Sequence, residues 1–223
     1  MSTNNPITIL LGAGASRPYG VPLMGEFYDE FCAHLERRYP DCLTFLKTIE
    51  QQAARDLNDL ETLLSDLTAI LSIDTGLRLL GSTASAHEPQ LQLARELRGY
   101  LDAFIVDTCE RFSREAAAKA LTPLLKLSNI APLWVFSTNY DRVVEWACEE
   151  NGISFSDGFE THSQRPIANW NNTFDADVRV VKLHGSVNWY QDDPDGAIHR
   201  LDRGYSLPAH DFRLLRGAQQ LKP

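Results

Sequence analysis

The sequence predicts an α/β fold: an open parallel sheet with a large helical insertion after its first strand. Three observations predict it. First, Ile7-Thr8-Ile9-Leu10-Leu11, Leu133-Trp134-Val135-Phe136 and Val178-Arg179-Val180-Val181-Lys182-Leu183 are short, largely apolar and partly β-branched runs. Parallel strands read this way when both faces of their sheet are covered. Second, each run ends in small or polar residues: Gly12-Ala13-Gly14-Ala15-Ser16, Ser137-Thr138-Asn139-Tyr140-Asp141 and His184-Gly185-Ser186. Third, nearly the whole stretch from Gly25 to about residue 130 carries helical spacing, where a crossover between parallel strands needs only about a dozen residues.

The first turn sets the reading of the rest. Gly12 and Gly14 admit backbone conformations closed to other residues and allow close approach to a ligand. Amides exposed in such a turn form a cradle for phosphate. An ordinary tight turn after a core strand fits this stretch alone equally well. The dinucleotide fingerprint G-x-G-x-x-G is not complete, since Arg17 stands at its third glycine position.

Pro18, Gly20 and Pro22 exclude a regular helix directly after the turn. From Gly25 to Glu50 apolar residues recur at helical spacing with a break at Pro40. Leu57, Leu60, Leu63, Leu64, Leu67, Ile70 and Leu71 form one stripe of an amphipathic helix, with Asp56 or Asn58 as its cap. Gly81 to Pro89 reads as a loop leading to Pro89 at a first helical position. Leu91 to Phe112 gives a long helix, with Leu93, Leu97, Leu101, Phe104 and Ile105 inward. Arg114 to Leu127 gives another, interrupted near Pro123. The insertion reads as a helical layer over a ligand cleft or as a bundle that buttresses the sheet.

After the second strand, Tyr140 to Glu150 reads as a helix stopped by Gly152. Thr138 or Asn139 would cap it, and Asp141 in its first turn favours the helix dipole. Capping is thus one complete account of Asn139 and Asp141. Ser156 to Asp177 is polar and reads as loop, with Trp170 as an anchor. His199 to Arg203 does not read as a buried strand.

Composition sets bounds. The 223 residues suit one large domain, and 43% hydrophobic with 23% charged residues is ordinary for a globular protein. No run is long enough to span a membrane and no secretion signal is visible at Met1 to Pro6. The net charge of −9 opposes non-specific nucleic-acid binding. Arg200, Arg203, Arg213 and Arg216 read as solvated surface. Cys32, Cys42, Cys109 and Cys148 are scattered without a C-x-x-C pair, so a zinc module is not expected; three of the four sit in helical-looking stretches and read as small core residues in a reducing cytoplasm.

In an open α/β sheet, ligands bind at the carboxyl ends of the strands. That edge would gather Gly12 to Ser16, Thr138 to Asp141 and His184 to Ser186. These parts suit cleavage of a glycosidic bond with a good leaving group. A Gly turn holds pyrophosphate, an Asn binds an amide or positions water, and a His accepts a proton near neutral pH.

At these residues the sequence resembles the SIR2-like, sirtuin-related family. Gly12-Ala13-Gly14-Ala15-Ser16 with Gly20-Val21-Pro22 is similar to the glycine-rich NAD loop. Ser137-Thr138-Asn139-Tyr140-Asp141 is similar to T-Q-N-x-D, with Thr138 at the Gln position, and Lys182-Leu183-His184-Gly185-Ser186 to the catalytic H-G motif. The resemblance runs from Ile7 to about Tyr190 and points to bacterial SIR2-like domains of anti-phage defence proteins. It implies a Rossmann-like sheet and NAD+ as substrate, hydrolysed to nicotinamide and ADP-ribose.

By residue, it implies that Asn139 positions the ribose or water, that Asp141 binds the nicotinamide amide, and that His184 is general base or orients ribose hydroxyls. Gly12, Ala13, Gly14, Ala15 and Ser16 would hold the pyrophosphate and adjacent ribose, with Thr138, Gly185 and Ser186 completing the binding set. No metal is expected. SIR2-like domains continue with further strands beyond this chain's length. Residues 1–223 are therefore expected to be one NAD-binding domain with a truncated sheet and a helical insert at about 25–130, the N-terminal part of a longer chain. Gly204-Tyr205-Ser206 and Asp211 match a late family motif only by chance on this reading. The rival functions are an NAD-dependent protein deacylase or ADP-ribosyl transferase, and a non-catalytic module that senses NAD or ADP-ribose. Self-assembly and a fused sensor or effector domain are further expectations of the resemblance.

Overall fold

The computed structural model describes residues 5–53, 59–79, 87–160, 167–191, 197–201 and 213–216. The chain divides into two compact units: Met1–Val21 with Val106–Pro223, and Pro22–Ile105.

The first unit holds a parallel sheet. Strands β1 (Ile7–Leu11), β2 (Leu133–Ser137), β3 (Phe155–Ser156) and β5 (Val178–Lys182) lie in the order β1-β2-β5-β3. Their register aligns Leu11 with Ser137 and Ser137 with Lys182, so three strands end at one level. Helices α5 (Arg114–Leu125) and α6 (Val143–Glu150) pack on each other and on one face of this sheet. There Leu133, Val135, Val178 and Val180 meet Val144, Trp146, Ala147, Cys148 and Leu121 in a single core. Period-two alternation decides which side chains reach it. On the other face, Trp134 stacks on Phe136, and the Arg179 guanidinium lies 4.9 Å from the Trp134 ring.

The expectation that both faces are covered fails at β1. It is an edge strand, and its Leu10 is 69% exposed. The apolar run was long enough to form a strand but carried no information about its place in the sheet.

A second, antiparallel sheet has the order β4-β7-β6-β8, from β4 (Ile167–Asn169), β6 (Gly185–Gln191), β7 (Ile198–Leu201) and β8 (Arg213–Arg216). One expectation changes here: the stretch from Ser156 to Asp177 is not all loop, since it contributes β4. His199 to Leu201 lies in β7, a strand of which only Leu201 is buried. Phe159, Ala168 and Trp189 are buried in a small aromatic core with Trp170 beside them. Trp170 is the anchor its sequence suggested, 5.1 Å from Phe159 and 5.7 Å from Trp189. Gly158 has φ +88°, and a Cβ there would sit 2.3 Å from the Trp170 ring. Arg200, expected at a solvated surface, instead donates from one nitrogen to both oxygens of buried Asp157, at 2.6 and 2.7 Å. Residues 203–206 and 211 lie outside the described residues.

The second unit is helical: α1 (Met24–Arg38), α2 (Pro40–Ala53), α3 (Leu60–Leu79) and most of α4 (Glu88–Glu110). The break at Pro40 falls where expected. Phe27 and Phe31 pack against Phe104 at 5.7 and 5.3 Å, and Leu35, Leu46, Leu63, Leu67, Leu97 and Leu101 are fully buried. Asp59 caps α3, accepting from the Thr62 amide at 2.6 Å and the Thr62 hydroxyl at 2.8 Å. The caps expected from sequence, Asp56 and Asn58, lie outside the described residues. All four cysteines fall in helices, and none forms a disulfide. No described helix is long and apolar enough to cross a membrane.

Candidate functional site

The level ends of β1, β2 and β5 bring three loops to one sheet edge. After β1 the chain makes a single 3-10 turn, Ala13–Ala15. The Ala15 amide donates to Gly12 O at 2.9 Å and the Ser16 amide to Ala13 O at 3.2 Å. The Ala13 and Gly14 amides head the turn and have no carbonyl within it to bond. Gly12, Ala13 and Gly14 are exposed, Ala15 is half-buried and Ser16 is buried.

Neither glycine is there for an unusual conformation. Gly12 is extended at φ −110°, and Gly14 is not among the positive-φ residues. A Cβ on Gly14 would meet no atom within 4 Å, and one on Gly12 only the Thr138 hydroxyl at 3.9 Å. The glycine that needs its freedom is Gly20, at φ +107°, which closes the following turn Arg17–Tyr19.

After β2, each residue is tied to a different element. The Thr138 amide donates to Leu11 O at 3.1 Å. The Asn139 carboxamide donates to Gly12 O at 3.0 Å and to the Ser16 hydroxyl at 2.9 Å. Tyr140 O accepts from the Val187 amide at 3.0 Å and the Ser186 hydroxyl at 3.3 Å. The Asp141 carboxylate accepts from the Val143 amide at 3.0 Å, an Asx turn leading into α6. The expected caps Thr138 and Asn139 do not take that role, because their side chains are engaged with β1 and its turn.

After β5, Leu183 and His184 form a short turn, and Gly185 at φ +84° leads the chain into β6. That left-handed position explains the glycine after the histidine. His184 is exposed, with its ring 6.5 Å from that of Tyr140. Ser186 is fully buried under Tyr140. So Gly12, Ser16 and Asn139 are in direct contact, His184 stands beside Tyr140 at the same edge, and Gly185 and Ser186 shape the backbone beneath.

Sequence reasoning missed one feature. Lys182 and Glu145 are buried together, with 1% and 4% of their side chains exposed and Nζ 3.5 Å from Oε1. The Lys182 ammonium also donates to Asp141 O. Burial raises the Glu145 carboxyl above its ordinary range, while Lys182 and Arg142 pull it down. The signal was present: a lysine closing an apolar strand, and a glutamate inside Val143-Val144-Glu145-Trp146-Ala147-Cys148. Arg142 and Arg114 both lie over the Trp146 ring, at 4.8 and 3.6 Å. Cys148 is fully buried with its thiol pushed up to about 12, first by burial, so it stays neutral.

A family model of the SIR2-like domain matches residues 134–203. The matched stretch holds Thr138 to Asp141 and His184 to Ser186, while Gly12 to Ser16 precede it. The match supports the SIR2-like family and, with it, an NAD-related ligand. No curated protein matches the chain.

Proposed function

We propose that this protein is an NAD+ glycohydrolase that releases nicotinamide and ADP-ribose, acting in the cytoplasm in bacterial anti-phage defence. The observation that carries the reading is the contact of Asn139 with Gly12 and Ser16, at an edge that also presents His184. The Ala13 and Gly14 amides, on exposed residues with open space beside Gly14, suit a pyrophosphate.

In this reading the bond between ribose C1′ and the nicotinamide nitrogen breaks, and its electron pair stays on nitrogen. Water adds at C1′, and His184 accepts the proton it loses. Asn139 holds the phosphate turn in place while orienting the ribose or the water. Asp141 would bind the nicotinamide amide in this reading, and its carboxylate also accepts from the Val143 amide at the start of α6.

The test is nicotinamide release from NAD+ without an acylated peptide. His184→Ala and Asn139→Ala are each expected to lose at least about a hundredfold in turnover, the scale of acid–base catalysis, while unfolding cooperatively. Undiminished turnover in both variants would remove these roles, and release that requires an acylated peptide would turn the reading to a deacylase.

A further inference from the structure

We propose that Lys182 and Glu145 are positioning residues, a buried pair that sets the geometry of the Asn139–Asp141 loop against the β5 end that carries His184. Its bearing on turnover rests on the hydrolase reading; its bearing on the loop does not.

Lys182 is the last residue of β5, two before His184, and is paired in register with Ser137 at the end of β2. Ser137 O takes the Leu183 amide at 2.8 Å, so the two strand ends are already linked. The Lys182 ammonium adds a link to Asp141 O, 41 residues away in sequence. Glu145, in the first turn of α6, pairs with that ammonium. One cation thus joins the β5 end, the β2–α6 loop and the helix.

Stability alone does not call for charge here. A buried ion pair is commonly matched or bettered by apolar residues of similar volume. This pair also leaves Glu145 Oε2 buried without a hydrogen bond, which costs free energy. An apolar pair could not donate to the Asp141 carbonyl. Two residues before that carbonyl stands Asn139, which is bonded to the Gly turn, and the carbonyl's own residue carries the Asp141 carboxylate. What the lysine provides is a directed hold on the loop. The charged groups that face Glu145 besides Lys182 are Arg142 and, more weakly, Asp157.

The test compares wild type, Lys182→Arg and the double variant Lys182→Met/Glu145→Leu. Denaturant unfolding, site-resolved amide exchange and nicotinamide release are measured on each. The double variant is expected to keep its unfolding midpoint. Its Asn139, Val143 and Val187 amides should exchange at least about tenfold faster relative to amides of β2, because local openings set such rates. Turnover should fall by at least about tenfold with KM little changed, as misplacement of reacting groups predicts, and Lys182→Arg should restore most of both. Unchanged exchange at those three amides in the folded double variant overturns the proposal. If wild type releases no nicotinamide, the hydrolase reading fails and the exchange comparison alone decides the positioning role. If the double variant does not fold, Glu145→Gln is measured in its place, with an exchange increase of at least about threefold expected and no increase overturning the proposal.

Discussion

Two loops leave the same sheet edge one strand apart and are built in opposite ways. The Gly12–Ser16 turn is largely exposed, holds two short backbone bonds of its own and has empty space at Gly14. The Asn139–Asp141 loop is half-buried to buried, and every residue in it is fastened to another element. The first is shaped by what approaches it and the second by what surrounds it. A site needs both, a surface that yields to a ligand and a frame that does not move when the ligand arrives. Asn139 is the joint between them, since its carboxamide reaches from the fastened loop to the open one.

The largest break in this contrast should come from the frame. Lys182→Met alone leaves Glu145 buried without its counter-charge, and is expected to cost about 3–5 kcal/mol in urea unfolding. A cost under about 1 kcal/mol, the scale of an exposed pair, would show that the frame does not depend on the lysine. Next in size is Gly158→Ala, in the neighbouring aromatic core. The new methyl would collide with Trp170 at a positive φ, for an expected loss of roughly 2–4 kcal/mol from overpacking and backbone strain together. Thermal or urea unfolding measures it.

How far the sequence discloses all this differs between the two loops. The open turn is legible because its chemistry is local: two glycines after an apolar run are visible wherever they lead. The strands and their common edge are legible for the same reason, and the break between α1 and α2 follows from Pro40. The frame is not legible, because its bonds join residues such as Lys182 and Asp141 that only the register brings together. The Asx turn of Asp141 onto the Val143 amide, in place of a cap by Thr138 or Asn139, follows from the same cause: Asn139 is turned toward Gly12 and the next carboxylate meets the first helical amide. The antiparallel sheet was missed because β4 and β7 are short and mix apolar with polar residues, packing beside Trp170 and Trp189 rather than forming an apolar run of their own.

Smaller effects sharpen the contrast. Asp141→Ala removes the acceptor for the Val143 amide, and should cost about 1 kcal/mol, the net scale of one hydrogen bond, while lowering turnover far more than that. Glu145 gives a pH signature. Its carboxyl is raised in the folded protein, so the folded state keeps a proton that the unfolded chain releases above the ordinary value of 4.5. Its contribution is therefore complete at low pH and is lost as pH rises from that value through the raised one. Glu145→Gln should flatten the fall of stability with pH above that range, as read from urea midpoints across a pH series. An equal slope in both proteins would mean that Glu145 does not titrate there.

The smallest effect on the fold should come from Gly14→Ala, and it is the sharpest probe of the open loop. The position has ordinary backbone and nothing within 4 Å of a new methyl, so the unfolding midpoint should move by no more than about 0.5 kcal/mol. Replacing glycine also reduces the freedom of the unfolded chain, which acts in the stabilising direction. Yet the methyl would occupy the space beside the two amides that head the turn. If a pyrophosphate sits there, ADP-ribose affinity measured by calorimetry should fall by at least about tenfold, or 1.4 kcal/mol. Fold and affinity would then part company at one residue, as they do not at Lys182 or Gly158. Undiminished affinity in Gly14→Ala would mean that the space is merely empty, and the phosphate would have to be sought elsewhere along the sheet edge.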